Sequence, residues 1–154
     1  MSQTLSDDDM TAVQAVIANS SLEHVDFHEL SARRIPGAKG SSVETEDEGN
    51  LSLAVQQRID DQSFGVRLNA TATFSGGEAT VSVAAEYQLL NEIKPTRRAL
   101  QIFCNEVAIM TVFPYLREGM SSITTRVFGE AIYLPVAERG SISIDVEPLE
   151  NALA

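Results

Sequence analysis

The chain has no tryptophan, a single cysteine and, over 154 residues, only 11 basic side chains against 22 acidic ones. Each scarcity excludes something. One thiol, Cys104, rules out an internal disulfide and a cysteine-rich zinc site, and a reducing cytosol is the simplest compartment. A net charge of −11 opposes nucleic-acid binding, because phosphates must be met by Lys and Arg; it favours solubility and basic or apolar partners. No uninterrupted apolar run approaches the ~18–20 residues of a bilayer span, so membrane insertion is not expected. The opening MSQTLSDDDM lacks the basic flank and apolar stretch of a signal peptide.

Chemistry-bearing motifs are scarce too. Gly37-Ala38-Lys39-Gly40-Ser41 departs from the phosphate-loop pattern and follows no strand leading into a helix. The acidic run Glu44–Glu48 lacks the alternating ligand order of a calcium loop. Nothing near Cys104 suggests an activating base, and apolar helix positions commonly hold an inert buried cysteine. His24, Asp26 and His28 alternate, so on a strand they would share one face as a possible metal set. The plainer reading is a polar strand face, because no fourth ligand is evident. No metal, cofactor or enzymatic activity is expected.

What is present is patterning. Hydrophobic residues at 44% and charged residues at 21% fit one globular domain over 1–154. Residues 5–19 read as a short helix, with Ser6 as N-cap, Asp7, Asp8 and Asp9 in the first turn, and a stripe of Val13, Val16 and Ile17. Period-2 alternation then marks four strands. Val25 and Phe27 share a face in the first; Leu51, Leu53, Val55, Gln57 and Ile59 in the second; Phe64, Val66, Leu68, Ala70, Ala72 and Phe74 in the third; Ala79, Val81, Val83, Ala85, Tyr87 and Leu89 in the fourth. Tight links at 60–63 and 75–77 make the last three strands a meander. The long Gly-rich, acidic loop PGAKGSSVETEDEG joins the first strand to it. After Pro95 the period becomes helical: Leu100, Phe103, Val107 and Met110, then Leu116, Met120, Ile123 and Val127. Past Gly129, AIYLPV and SISIDV read as short extended pieces, broken by Pro135 and Pro148. The expected architecture is α+β: a four-stranded antiparallel sheet, a meander plus one crossing strand, with one face covered by C-terminal helices and a short extra N-terminal helix. Pro114, at the start of the second helical stripe, predicts a new helix or a sharp kink in a longer one.

The residues around that proline carry a resemblance. Phe113-Pro114-Tyr115-x-Arg117-Glu118, then Arg126, then a short apolar segment ending Leu134-Pro135, resembles the SecB family of export chaperones, whose motif is an FPYARE stretch, a helix and a Leu-x-Pro segment. The preceding meander, the cysteine ten residues before the proline and the acidity are similar as well; the likeness spans roughly residues 21–136. Leu116 stands in place of a small residue, Phe128-Gly129 replaces the family's turn, and the last residues are too short and too β-like for the family's second helix. The chain thus resembles a divergent SecB-like protein, similar to the solitary chaperones of toxin–antitoxin modules.

The resemblance implies an ATP-independent cytoplasmic holdase, a homotetramer built as a dimer of dimers, that binds unfolded or export-destined polypeptides in apolar grooves. Its partners would be client polypeptides and SecA or an antitoxin. Positions implied for client binding are Leu89, Ile93, Phe103, Met110, Phe113, Tyr115, Ile132, Tyr133 and Leu134, about half of them expected to be buried. Arg117, Glu118, Ser121 and Ser122, on the polar side of the second helix, are the implied oligomer contact. SecA docking in the family uses acids on the exposed sheet face; the fourth strand turns out Thr80, Ser82, Ala84 and Glu86, one acid among them. A dedicated client is therefore one alternative, and a non-chaperone interaction scaffold on the same fold is another.

Overall fold

The computed structural model describes residues 5–35, 50–134 and 144. The acidic loop after the first strand, Pro135, Pro148 and most of SISIDV lie outside the described residues.

Ser6 opens α1 (Asp7–Ala18) with a capping box: its hydroxyl accepts from the Asp9 amide at 3.1 Å, and the Asp9 carboxylate accepts from the Ser6 amide at 3.4 Å. Val13 and Val16 are buried, but Ile17 of the expected stripe is exposed. Asp9 is buried instead. It receives two hydrogen bonds from Arg98, from Nε at 3.0 Å and Nη2 at 2.9 Å, which tie the first helix to the second. A charge is tolerated there because its partner is a planar fork that matches both carboxylate oxygens.

The strands are β1 (Ser20–Arg34), β2 (Asn50–Ile59), β3 (Ser63–Phe74) and β4 (Gly77–Leu89), all antiparallel, in the order β1-β4-β3-β2. This is the expected meander, with β1 crossing to pair with β4. Strand β1 departs from simple alternation. Register shifts between Leu22 and His24, and between Phe27 and Glu29, let Leu22, Val25, Phe27, Leu30 and Ala32 oppose Tyr87, Ala85, Val83, Val81 and Ala79. Two bulges thus keep an irregular apolar series on one face.

That face is covered by a single helical rod: α2 (Arg97–Phe103), a π-helical turn (Cys104–Ala108) and α3 (Ile109–Phe128). Pro114 lies inside α3 and neither starts nor ends it. The irregularity is the π turn, where the Ile109 amide reaches back to the Cys104 carbonyl. The extra residue shifts the buried face. Ala108 and Ile109 are buried while Val107 and Met110, read from a strict 3.6-residue period, are half-buried. Beyond the turn, inside regular α3, the buried row runs every fourth residue through Leu116, Met120, Thr124 and Phe128, which leaves Ile123 and Val127 half-buried. Gly129, at φ 82°, ends the rod in the left-handed region that glycine adopts without strain. By length and composition alone Arg97–Phe128 would pass for a membrane span, but most of its apolar stretch is buried inside the chain.

The core between rod and sheet is aromatic at both ends. Phe64 stacks on Tyr87 (centroids 5.0 Å apart), and Phe103 meets both edge-on at 5.3 and 5.2 Å. Phe74 meets Phe128 edge-on at 4.9 Å.

Candidate polypeptide-binding surface

One helical rod is narrower than four strands. It packs over β4, β3 and β1, and apolar side chains of both edge strands remain partly uncovered on the same face. On β1 these are Leu22, Phe27 and Leu30; on β2 they are Leu51 (38% exposed) and Leu53 (37%). The sheet's pairing places them on the helix side, since Leu51 and Leu53 oppose core residues Ala72 and Ala70.

Gly119 sets the depth of the β1 furrow. A Cβ there would come within 2.7 Å of the Phe27 ring and 3.0 Å of Val81, so only glycine lets α3 approach this closely. Tyr115, one turn earlier on the same flank, is 46% exposed.

The other flank of the rod holds the chain's own continuation. The Ile132 amide donates to Thr124 Oγ1 at 2.8 Å, and Arg117 Nε donates to the Leu134 carbonyl at 3.0 Å. Farther back, Asn105 brackets Ile144: its Nδ2 donates to the Ile144 carbonyl at 3.1 Å, and its Oδ1 accepts from the Ile144 amide at 2.8 Å. Leu134 is buried and Ile132 half-buried, while Tyr133 between them is 70% exposed.

Of the residues expected at a client surface, Leu89, Phe103, Phe113 and Leu134 lie in the core of the subunit, where the sheet face needs them as filling. Ile93, Met110 and Ile132 are half-buried, and Tyr115 and Tyr133 are exposed. Among the expected oligomer contacts, Arg117 is half-buried against Leu134; Glu118 is exposed, and Ser121 and Ser122 are half-buried. Sequence reasoning missed Asn105, Gly119 and Thr124. A glycine inside an apolar helical stripe was the legible signal for the second; the other two became visible only with the π turn and the returning chain.

Elsewhere the chemistry is quiet. Burial pushes the Cys104 thiol up to about 12, which leaves it protonated and inert. His24 Nε2 lies 3.1 Å from Asp26 Oδ2, but among the described residues no three His, Cys, Asp or Glu side chains gather as a metal set. The outer face of β4 carries a second acid, Glu78, beside the expected Glu86. Each has an arginine partner: Arg33 at 2.6 Å for Glu78, and Arg58 for Glu86.

Fold and surface together define a class: an α+β subunit with apolar furrows on both sides of a covering rod. Comparison with known proteins narrows it. No protein-family model matches the chain. It is 28% identical to the SecB-like chaperone SmegB of Mycolicibacterium smegmatis over 140 residues, 91% of this chain and 90% of that one. Among solved structures, the SecB-like chaperone Rv1957 of Mycobacterium tuberculosis, in complex with a ChAD peptide from the HigA1 antitoxin, is similar with a TM-score of 0.68 at 17% identity, covering 84% of this chain and 98% of that one. The chain is thus similar to a SecB-like chaperone in sequence over most of its length, and it shares the fold of another.

Proposed function

We propose that the protein is an ATP-independent holdase that binds unfolded or export-destined polypeptides along the apolar furrows flanking the rod. The observation that carries this reading is the set of uncovered apolar side chains on the helix side of both edge strands, Leu22, Phe27 and Leu30 on one and Leu51 and Leu53 on the other. Exposed apolar surface on a strongly acidic chain suits a binder of unfolded segments that itself stays soluble. Tyr115 and Tyr133 add amphipathic contact area, and half-buried Ile93, Met110 and Ile132 are available where a client displaces little. Leu89, Phe103, Phe113 and Leu134 support the furrow floor rather than touch the client. The activity is non-enzymatic and cytoplasmic.

The working form is a homotetramer, a dimer of dimers, in which the outward face of α3, with Glu118, Ser121 and Ser122, meets another subunit; Arg117 takes part through the segment that it holds. Static light scattering of Ser122→Arg tests this: the tetramer should break, and an unchanged mass would overturn the assignment.

A dedicated antitoxin client is the second reading. The antitoxin peptide bound to the Mycobacterium tuberculosis chaperone favours it. The pairing of both outer β4 acids with arginines also leaves little free negative charge there for SecA. Delivery to SecA and a role in export remain part of the first reading.

The test is aggregation of a chemically denatured protein followed by turbidity. Suppression at near-stoichiometric chaperone supports the holdase. Absence of suppression, with no binding of a labelled unfolded polypeptide, would leave an interaction scaffold.

A further inference from the structure

Helix α1 is held to the rod by few side chains. Asp9, Val13 and Val16 are buried, while Met10 and Ile17 on the outward side are exposed. Val16 is part of the main core. Val13 is buried apart from it, and so is Ile102 of α2. Ile102 stands one helical turn after Arg98, on the flank that Arg98 turns toward Asp9. The rod therefore carries a small apolar step with a guanidinium at its head, separate from the core that the sheet completes, and α1 fills it.

Twelve residues make a helix that is marginal by itself, so α1 depends on this docking. The polar contact is of a kind that comes apart. A buried ion pair adds little net stability over apolar residues of similar volume, because both ions regain hydration when they separate; what it fixes is register. The far end of α1 is anchored independently. The Asn19 carbonyl accepts from the Leu90 amide at 2.7 Å, and Asn19 Oδ1 accepts from Asn91 Nδ2 at 2.8 Å. An undocked α1 stays tethered there, next to β1 and its uncovered Leu22.

We propose that the Arg98–Ile102 flank of the rod is a docking groove for amphipathic client segments, and that α1 is its resident occupant, displaced when client binds. The segment it takes has the chemistry of α1: a carboxylate for Arg98, with apolar residues four and seven positions later, as Asp9, Val13 and Val16 stand. The inference rests on the holdase reading and deepens it. The groove adds a site that reads a helix and selects an acid to furrows that take apolar chain.

The test uses the full chain and fluorescein-labelled, reduced and carboxymethylated lactalbumin as the unfolded probe. Hydrogen exchange at the amides of residues 10–18 should quicken when the probe saturates the unaltered protein. Asp9→Asn loosens the resident and leaves the groove vacant in more molecules. It should tighten probe binding, read by anisotropy, about tenfold, the worth of a charged hydrogen bond. Ile17→Ser, on the outward side of α1, should leave binding unchanged. A labelled peptide of residues 5–19 should bind in trans to the Val13→Ser protein, whose own α1 docks poorly. The same peptide with Asp9→Asn should bind about tenfold more weakly. Unchanged exchange in α1 with the probe bound, unchanged affinity of Asp9→Asn, equal tightening by Ile17→Ser, or equal or absent binding of the two peptides would each overturn the groove. Failure of the unaltered protein to bind the probe would instead count against the holdase reading, and the peptides would then decide the groove. Thermal unfolding identifies any variant that merely fails to fold; the exchange measurement needs none of them.

Discussion

The β2 furrow allows a worked estimate. Leu51 and Leu53 are 38% and 37% exposed on the helix side. Fully burying a leucine side chain is worth about 2 kcal/mol, so covering the exposed fraction of each contributes roughly 0.8 kcal/mol. A client that covers both gains about 1.5 kcal/mol, or about tenfold in affinity. The perturbation is Leu51→Gln with Leu53→Gln. Glutamine keeps an aliphatic stem against the sheet while placing an amide where the client would lie, so the subunit keeps much of its packing. The assay is anisotropy of a labelled unfolded polypeptide, with circular dichroism and a thermal melt to confirm the fold. The matched control is Ser52→Gln with Ala54→Gln, exposed neighbours on the opposite face, where they oppose Thr71 and Asn69. The furrow pair should weaken binding about tenfold and the control pair should leave it unchanged. Equal binding by the furrow variant, or equal loss in both, would refute the reasoning.

The remaining predictions concern the subunit itself. Asp9→Asn should lower stability by about 1–2 kcal/mol at pH 7, because the Arg98 guanidinium holds the Asp9 carboxyl down to about 2. A depressed folded-state pKa stabilises above the usual carboxylate range, so the difference between the two proteins should fade as pH falls from about 4 through about 2, as denaturant melts at stepped pH would record. Phe103→Ala should cost about 3–5 kcal/mol by emptying the centre of the Phe64–Tyr87–Phe103 cluster; a near-neutral melt would move Phe103 from the core to the client surface. Cys104 should resist a disulfide-exchange thiol reagent at pH 8 while the protein is folded and react fully in denaturant; rapid reaction of the native protein would contradict its burial.

Much of this was legible along the chain. Strand β3 begins and ends at the residues where alternation begins and ends, and β4 and β2 lie within a residue or two of theirs, because a sheet covered on one side imposes a period of two on the composition itself. Ser6 could be named as a cap because the need for an oxygen at the end of a helix is local. The buried partner of Asp9 could not: Arg98 is remote in sequence, and only the packing of α1 on α2 joins them. Pro114 reads as a helix start or a sharp kink in a longer helix because proline is a strong local signal; it lies inside α3, and the irregular turn is at Cys104–Ala108, where nothing in the residue types announces a π turn.

The proposed client surface shows the same division. Which residues are apolar, and which share a face, is a property of sequence and strand or helix periodicity, and the chain determined it without help. Which of them stay uncovered depends on the width of the covering rod against the width of the sheet, and on where the chain returns after Gly129. Phe103 and Tyr115 look equally suited to a client until tertiary packing buries the one under the sheet and leaves the other in water. Exposure is the difference between two packed surfaces, and no single segment carries it.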